Sequence, residues 1–229
     1  MTIGIIGAMD EEVALLIENM SEKKEQTIAN CLFVTGEMND KQVVLLKSGI
    51  GKVNAAMATT ILHERFNPDY VINTGSAGGF TPELDIGDIV VSSQVVHHDV
   101  DVTAFDYAYG QVPGMPAMFA ADPKLISIAT NAVKSLTVAS REGIIATADT
   151  FMADPVHVKR IKEKFPAMIA AEMEAAAVAQ VCFQYDKPFV IIRALSDIAG
   201  KESSISFDTF IEKAAKNAAS LIMKMIKDL

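Results

Sequence analysis

An α/β domain with a largely parallel sheet is the fold class that the sequence predicts. Short apolar runs rich in β-branched residues alternate with helical patterns along the 229 residues, which is typical of strands connected through helices. Half of the chain is hydrophobic, enough to bury a substantial core, and no long linker or internal repeat divides it.

The elements follow from these runs in chain order. The predicted strands are residues 3–6, 31–35, 42–47, 70–74, 86–96, 142–147 and 189–195, and the predicted helices are residues 11–20, 53–65, 123–134, 155–164, 173–184 and 207–229. The first helix has apolar residues at positions 13, 16, 17 and 20, the stripe of an amphipathic helix. The second follows a tight turn at Gly49-Ile50-Gly51-Lys52, which lacks the spacing of a phosphate-binding loop.

The later elements are more apolar. The helix at 173–184 is apolar nearly all round, as buried helices are, and the last helix has a broad apolar face. The strand at 189–195 is a continuous apolar run, which indicates burial on both faces.

Composition excludes several classes of partner. The formal net charge of −9 would repel a nucleic-acid backbone, and no basic run suggests a membrane surface. The N-terminus does not resemble a signal peptide, and no apolar stretch approaches the roughly 20 residues of a membrane span. Cys31 and Cys182 both lie in apolar settings, so we expect free buried thiols and a cytoplasmic location.

Glycines and carboxylates gather where the predicted strands end. The first strand is followed by GAMDEE, the strand at 70–74 by GSAGGF, the strand at 189–195 by Ser196-Asp197, and the apolar stretch at 168–171 by Glu172-Met173-Glu174. Ligands of α/β sheets bind beyond the carboxyl ends of the strands. The sequence therefore predicts an acidic site at this edge.

Other interpretations of these residues stay open on sequence grounds. The glycines at 75–79 lack dinucleotide-binding spacing, and they predict either a structural turn or a ligand-contacting loop. His97 and Asp99 can share a strand face, but no distant cluster completes a metal site, so no metal is predicted. Arg193 must be ion-paired or bound to a ligand, and Ser196 could be a helix cap.

The acidic triplet Asp10-Glu11-Glu12 poses a choice. If Asp10 is the N-cap, position N3 is Val13 and no capping box forms. Helical periodicity then points Glu11 to solvent, whereas Asp10 and Glu12 lie near opposite borders of the apolar stripe. Periodicity does not choose between those two carboxylates.

Six segments, in order along the chain, resemble a single family. GIIGAMDEEV, SGIGKVNAA, NTGSAGG, HDVDVTAFDYAYGQVPGMP, AEMEAAAVA and VIIRALSD are similar to the bacterial 5′-methylthioadenosine/S-adenosylhomocysteine nucleosidases. The resemblance implies a single nucleosidase domain over residues 1–229 with the nucleoside phosphorylase/hydrolase fold, a central twisted mixed sheet flanked by helices in three layers. It also implies a homodimer without metal or cofactor.

The implied activity is hydrolysis of the adenine–ribose bond of 5′-methylthioadenosine and S-adenosylhomocysteine, with 5′-deoxyadenosine as a further substrate, in methionine salvage and removal of the methyl-cycle by-product. The resemblance assigns Glu12 as the general base on water and Asp197 as the general acid at the purine. It assigns substrate binding to Ser76, Gly78, Phe151, Met152, Met173, Glu174, Arg193 and Ser196. It assigns the pocket for the 5′-alkylthio group to Met9, Ile50, Met173 and Phe207, with Val102, Phe105 and Pro113 from the partner.

Two other functions remain alternatives. A purine nucleoside phosphorylase shares this fold but needs cations for phosphate, and this chain has four arginines and an acidic loop at the expected place. A non-catalytic adenosine-binding module would not need acids at both ends of the site.

Overall fold

The computed structural model describes residues 1–201 and 203–229. Its strands are β1 (Thr2–Gly7), β2 (Ser21–Ile28), β3 (Cys31–Met38), β4 (Lys41–Lys47), β5 (Tyr70–Gly79), β6 (Ile89–His97), β7 (Phe119–Ala120), β8 (Ser140–Thr147), β9 (Met168–Glu172) and β10 (Phe189–Ile198). Its helices are α1 (Asp10–Glu18), α2 (Lys52–Phe66), α3 (Pro123–Val133), α4 (Pro155–Lys164), α5 (Ala175–Gln184) and α6 (Ser203–Asp228), with a short 3₁₀ turn at Thr103–Phe105.

All the strands belong to one mixed sheet that closes on itself at one end. Its order is β10-β6-β8-β9-β5-β1-β4-β3-β2, and β10 also pairs with β5. Strands β5, β10, β6, β8 and β9 therefore form a closed ring, while β1, β4, β3 and β2 extend from it as an open sheet. Parallel pairs such as β1–β5 and antiparallel pairs such as β6–β10 both occur.

Five of the helices pack against the sheet or one another in two groups. Helices α1 and α3 both pack on α6, which lies along β10 and β5, whereas α2 packs on α5. The main core takes residues from both ends of the chain, for example Ile5 of β1, Ile72 of β5 and Leu221 of α6. The α/β class and the mixed sheet are confirmed, and the closed ring is a feature that alternation of strands and helices does not predict.

Several predicted boundaries were wrong, for identifiable reasons. Strand β2 was missed because its sequence, SEKKEQTI, is exposed along nearly its whole length and carries no apolar alternation. Strands β5 and β10 continue beyond residues 74 and 195, through the glycines and through Ser196-Asp197. Within the described residues, no helix is both long and apolar enough to cross a bilayer.

Candidate functional site

A cavity of about 320 Å³ opens where β1, β5, β9 and β10 end, as the strand-end pattern predicts. Its lining residues come from these four strand ends, from the starts of α1 and α6, from the loop before α2, and from the segment between β8 and α4. They are Ala8, Met9, Glu12, Ile50, Ser76, Ala77, Gly78, Phe151, Ala171, Glu172, Met173, Glu174, Ser196, Asp197, Ser204, Phe207 and Asp208.

Glu12 is buried at the start of α1, and both of its carboxylate oxygens are held. Oε2 accepts hydrogen bonds from the backbone N–H groups of Ala8 (2.8 Å) and Met9 (3.2 Å). Oε1 accepts from the backbone N–H and the hydroxyl of Ser76, at 3.0 and 3.2 Å. The side chain therefore joins the ends of β1 and β5 in a fixed orientation.

The cap predicted for Asp10 is wrong. The N-cap is Met9, so Glu12 and not Val13 occupies N3, and its carboxylate reaches back to the Met9 N–H as in one half of a capping box. Asp10 instead pairs with Lys47 at 2.7 Å, at the end of β4. Glu11 is exposed, as predicted. Of the two carboxylates that periodicity left open, Glu12 is the one that lines the cavity.

The glycine segment is strand rather than turn, and it makes room for functional side chains. A Cβ at Gly75, whose φ is +155°, would lie 2.0 Å from Arg193 Nη1 and 2.6 Å from Glu12 Oε1. A Cβ at Gly78 would lie 3.1 Å from Asp197 Oδ2. The glycines allow charged groups to pack directly against the backbone of β5.

A bulge in β10 brings Ser196 and Asp197 to the same cavity. The pairing register with β5 shifts between Leu195 and Asp197, which leaves Ser196 as the extra residue, so consecutive residues both face the site. Ser196 is therefore part of a strand and caps no helix; its hydroxyl donates to Asp197 Oδ1 at 2.9 Å. Burial raises the pKa of Asp197, against the lowering effect of hydrogen bonds from Ser196 and Ser203.

Glu174 is the N-cap residue of α5, with its carboxylate in the cavity wall. Oε1 accepts from the Gly51 N–H at 2.8 Å, in the turn before α2. Burial, and then the neighbouring charge of Glu172, raises the pKa of Glu174 to about 8.

Arg193 lies behind the cavity and not in its lining. The guanidinium is fully buried and donates to Asn73, to the Thr74 carbonyl and to Glu172. Its Nη2 is 3.6 Å from Glu174 Oε2. The predicted ion pair is present, but its main partner, Glu172, is a residue that sequence reasoning did not assign to the site. A second carboxylate two residues before Glu174 was the available signal.

The remaining predicted residues divide into two groups. The first group lines the cavity and consists of Met9, Ile50, Phe151, Met173 and Phe207. The rings of Phe151 and Phe207 are edge to face, with their centroids 5.9 Å apart. Met152 is buried outside the lining, and its carbonyl accepts from the Gly200 N–H. Val102, Phe105 and Pro113 do not line the cavity of their own chain.

His97 and Asp99, at the end of β6 and just after it, have polar partners within the protein. His97 Nε2 is 3.0 Å from Gln180 Oε1, and Asp99 binds the Lys52 ammonium. The described part of the chain contains no group of three His, Cys, Asp or Glu residues placed to hold a metal ion.

The raised pKa of Glu174 leads to a prediction about stability. The folded state holds this proton up to about pH 8, whereas the unfolded chain loses it near pH 4.5, so the free energy of unfolding falls as pH rises between these values. We expect Glu174→Gln to be more stable than the wild type by about 1–3 kcal/mol at pH 8, with a smaller difference at pH 5. Urea unfolding at both pH values measures this. The exposed control Glu163→Gln should show no such difference, and an equal gain at both pH values would contradict the assignment.

The chain is similar to known proteins over nearly its whole length. The family model described as phosphorylase superfamily matches residues 2–227. The chain is 60% identical over 229 residues to the 5′-methylthioadenosine/S-adenosylhomocysteine nucleosidase of Oceanobacillus iheyensis, covering 100% of both chains. It is 59% identical to the Bacillus subtilis protein of the same name, covering 99% of each.

Solved structures of such proteins superimpose closely on the chain. The nucleosidase of Colwellia psychrerythraea, in complex with adenine, has a TM-score of 0.98 at 48% identity and covers 100% of this chain and 96% of its own. The Neisseria meningitidis enzyme, in complex with methylthio-immucillin-A, has a TM-score of 0.98 at 47% identity, with coverage of 100% and 99%.

Proposed function

The chain belongs to the 5′-methylthioadenosine/S-adenosylhomocysteine nucleosidases of the phosphorylase superfamily, and we propose that it hydrolyses the adenine–ribose bond of these two nucleosides. The products are adenine and the 5′-thio-substituted ribose. The proposal extends to 5′-deoxyadenosine, and to roles in methionine salvage and methyl-cycle by-product removal.

The proposed chemistry uses the two carboxylates at the ends of β1 and β10. Cleavage passes through an oxocarbenium-like transition state, which needs an acid on the leaving group and a base on water at the opposite face of the sugar. Asp197 delivers a proton to adenine N7, and its raised pKa favours the protonated form. Glu12 orients and deprotonates water, with Ser76 beside it. Glu174 and Met173 hold the ribose, and Gly78 and Ser196 border Asp197. Phe151 forms the adenine end, and the adjacent Met152, outside the lining, contributes through its backbone.

The two carboxylates contact separate positions of β5. Glu12 binds Ser76, and Asp197 packs on Gly78, two residues further along β5. These two positions are about 6.6 Å apart along the strand, so the proposed base and the proposed acid reach the cavity at different points.

The observation that carries the proposal is the charge of the cavity wall. Its described lining includes Glu12, Glu172, Glu174, Asp197 and Asp208, and no lysine or arginine. The nearest arginine, Arg193, lies behind the cavity and is already paired with Glu172. A phosphate dianion would meet acids without a cation, whereas water suits such a wall, so hydrolysis is favoured over phosphorolysis.

The decisive experiment is adenine release from 5′-methylthioadenosine in phosphate-free buffer and in buffer with phosphate. We expect equal rates in both, with free 5-methylthioribose as the sugar product. Strict dependence on phosphate, with a sugar phosphate as product, would make the protein a phosphorylase. Tight binding of the nucleoside without any adenine release would make it a binding module.

We also propose that the protein acts as a homodimer whose partner completes the 5′ end of the cavity. Phe105 is 74% exposed, Val53 on α2 is 78% exposed, and Ile50 at the cavity mouth is 51% exposed. Large exposed apolar side chains are the kind of surface that a protein interface covers. Val102, Phe105 and Pro113 would then reach the partner's Met9, Ile50 and Phe207, and enclose the alkylthio group.

The dimer is tested with Phe105→Asp. Sedimentation should show a dimer for the wild type and a monomer for the variant. The kcat/KM for 5′-methylthioadenosine should fall by roughly 10- to 200-fold, the scale of a lost apolar contact in a pocket. Val156→Asp, at an equally exposed apolar position on α4, is the control and should change neither property. A fully active monomer would refute the shared pocket.

Two further proposals concern the chain as a whole. Cys31 and Cys182 are buried free thiols, which supports a reducing cytoplasmic location. The main core joins β1 to α6, which supports a single domain over residues 1–229.

A further inference from the structure

One buried carboxylate is not used by the proposed chemistry. Glu172 Oε2 accepts hydrogen bonds from the backbone N–H groups of Glu174 (2.9 Å) and Ala175 (2.8 Å), and it also binds Arg193 Nη2. Its Oε1 accepts from the hydroxyl of Thr147. The side chain is only 2% exposed. Both oxygens are therefore engaged within the protein, although the residue lies in the cavity wall.

Glu174, two residues later, is held much more loosely. Its Oε1 has the Gly51 N–H as partner, but its Oε2 accepts no hydrogen bond from the described residues and is 3.6 Å from Arg193 Nη2. One guanidinium nitrogen thus faces two carboxylates and binds Glu172 much more closely. The unequal sharing leaves one oxygen of Glu174 available to a ligand.

We propose that Glu172 is a positioning residue that holds Arg193 away from Glu174, so that Glu174 presents a free carboxyl oxygen to the ribose hydroxyls. This inference rests on the proposed function, in which Glu174 binds the ribose. A carboxyl oxygen whose lone pairs are free accepts a hydrogen bond from a ribose hydroxyl, whereas an oxygen paired with arginine is already occupied.

Thr147 completes the arrangement from the end of β8. Its hydroxyl donates to Glu172 Oε1, and its oxygen accepts from the Ala176 N–H at 2.9 Å. The hydroxyl therefore connects Glu172 Oε1 to the first turn of α5, while Oε2 binds Arg193. Valine at this position would keep the shape and remove the hydrogen bonds, whereas serine would keep both the donor and the acceptor.

The substitution Glu172→Gln removes the charge that attracts Arg193 and keeps the size of the side chain. Arg193 would then pair with Glu174, the remaining carboxylate beside it. We expect kcat/KM for 5′-methylthioadenosine to fall by about 10- to 100-fold, the value of a hydrogen bond to a charged group, mainly through KM. Free adenine has no ribose, so its dissociation constant should stay unchanged.

The discriminating measurement repeats the kinetics with 2′,3′-dideoxy-5′-methylthioadenosine, which lacks both hydroxyls. Glu172→Gln should lower kcat/KM for this substrate by less than about threefold, because the contact being lost is absent from it. Thr147→Val should show the same difference in kcat/KM between the two substrates. Thr147→Ser and the exposed control Glu25→Gln should both have wild-type kcat/KM values. An equal loss with both substrates, or weaker adenine binding, would show a merely structural role and overturn the proposal, as would no loss at all.

Failure of the proposed function would look different. In that case the wild type itself would release no adenine, whatever residue stands at position 172. The positioning role of Glu172 is then tested by measuring the dissociation constants of adenosine and adenine by calorimetry. Glu172→Gln should weaken the binding of adenosine only. Equal effects on both ligands would overturn the inference.

Discussion

Glu12→Gln will lower the rate of adenine release by about 10²- to 10⁴-fold, the usual contribution of a general base. The amide cannot take a proton from water. It also disturbs the site, since the carboxylate accepts from four donors, two on each oxygen, and an amide NH₂ would face N–H groups instead. The loss should appear in kcat, because adenine and ribose contacts lie elsewhere in the cavity.

Single-turnover kinetics on the purified variant measure this loss, and thermal unfolding reports whether the fold is retained. Glu11→Gln is the matched control: the residue is adjacent, carries the same charge and is exposed, so its rate should equal that of the wild type. Retention of more than about a tenth of the wild-type kcat in Glu12→Gln would remove Glu12 from the role of base.

Asp197→Asn should have an effect of similar size, about 10²- to 10⁴-fold in kcat. Asparagine keeps a hydrogen bond to the Ser196 hydroxyl but has no acidic proton for N7. Because burial raises the pKa of Asp197, the wild type should keep this acid protonated to a higher pH than an ordinary aspartate. Its kcat should then fall as pH rises through that raised pKa.

The control for Asp197→Asn is Asp40→Asn, in an exposed turn with a φ of +60° that asparagine tolerates. Its rate and pH profile should match the wild type. The variant at position 197 should still bind 5′-methylthioadenosine, which calorimetry can measure because turnover is slow. Loss of binding together with turnover would indicate that Asp197 supports the pocket and does not act as an acid.

Much of this site was accessible from the sequence. The positions of Glu12, Glu174 and Asp197 follow from strand ends, where glycines and acids cluster, and the cavity lies there. The family resemblance was needed to assign the base to Glu12, the acid to Asp197 and substrate binding to Glu174. The predicted N-cap of α1, Asp10, was one residue too late. The N-cap is Met9, Asp10 pairs with Lys47, and the Glu12 carboxylate accepts from the Met9 N–H.

The features that the sequence did not reveal depend on long-range pairing. Closure of the ring needs β10 to pair with both β5 and β6, and no local pattern records a second partner. The bulge at Ser196 likewise exists only in relation to β5. Glu172 belongs to the predicted acidic cluster but received no role, because its importance comes from Arg193 and Thr147, residues that lie 21 and 25 positions away.

Strand β2 has a consequence for behaviour at high concentration. It forms the open edge of the sheet, with unpaired backbone groups along one side, and it carries Glu22, Lys23, Lys24 and Glu25. An edge strand is a template on which other chains can add, and charged side chains oppose such growth. This dense charge protects the only long open edge in the described sheet, so replacing it with β-branched residues would favour fibrous aggregation without touching the cavity.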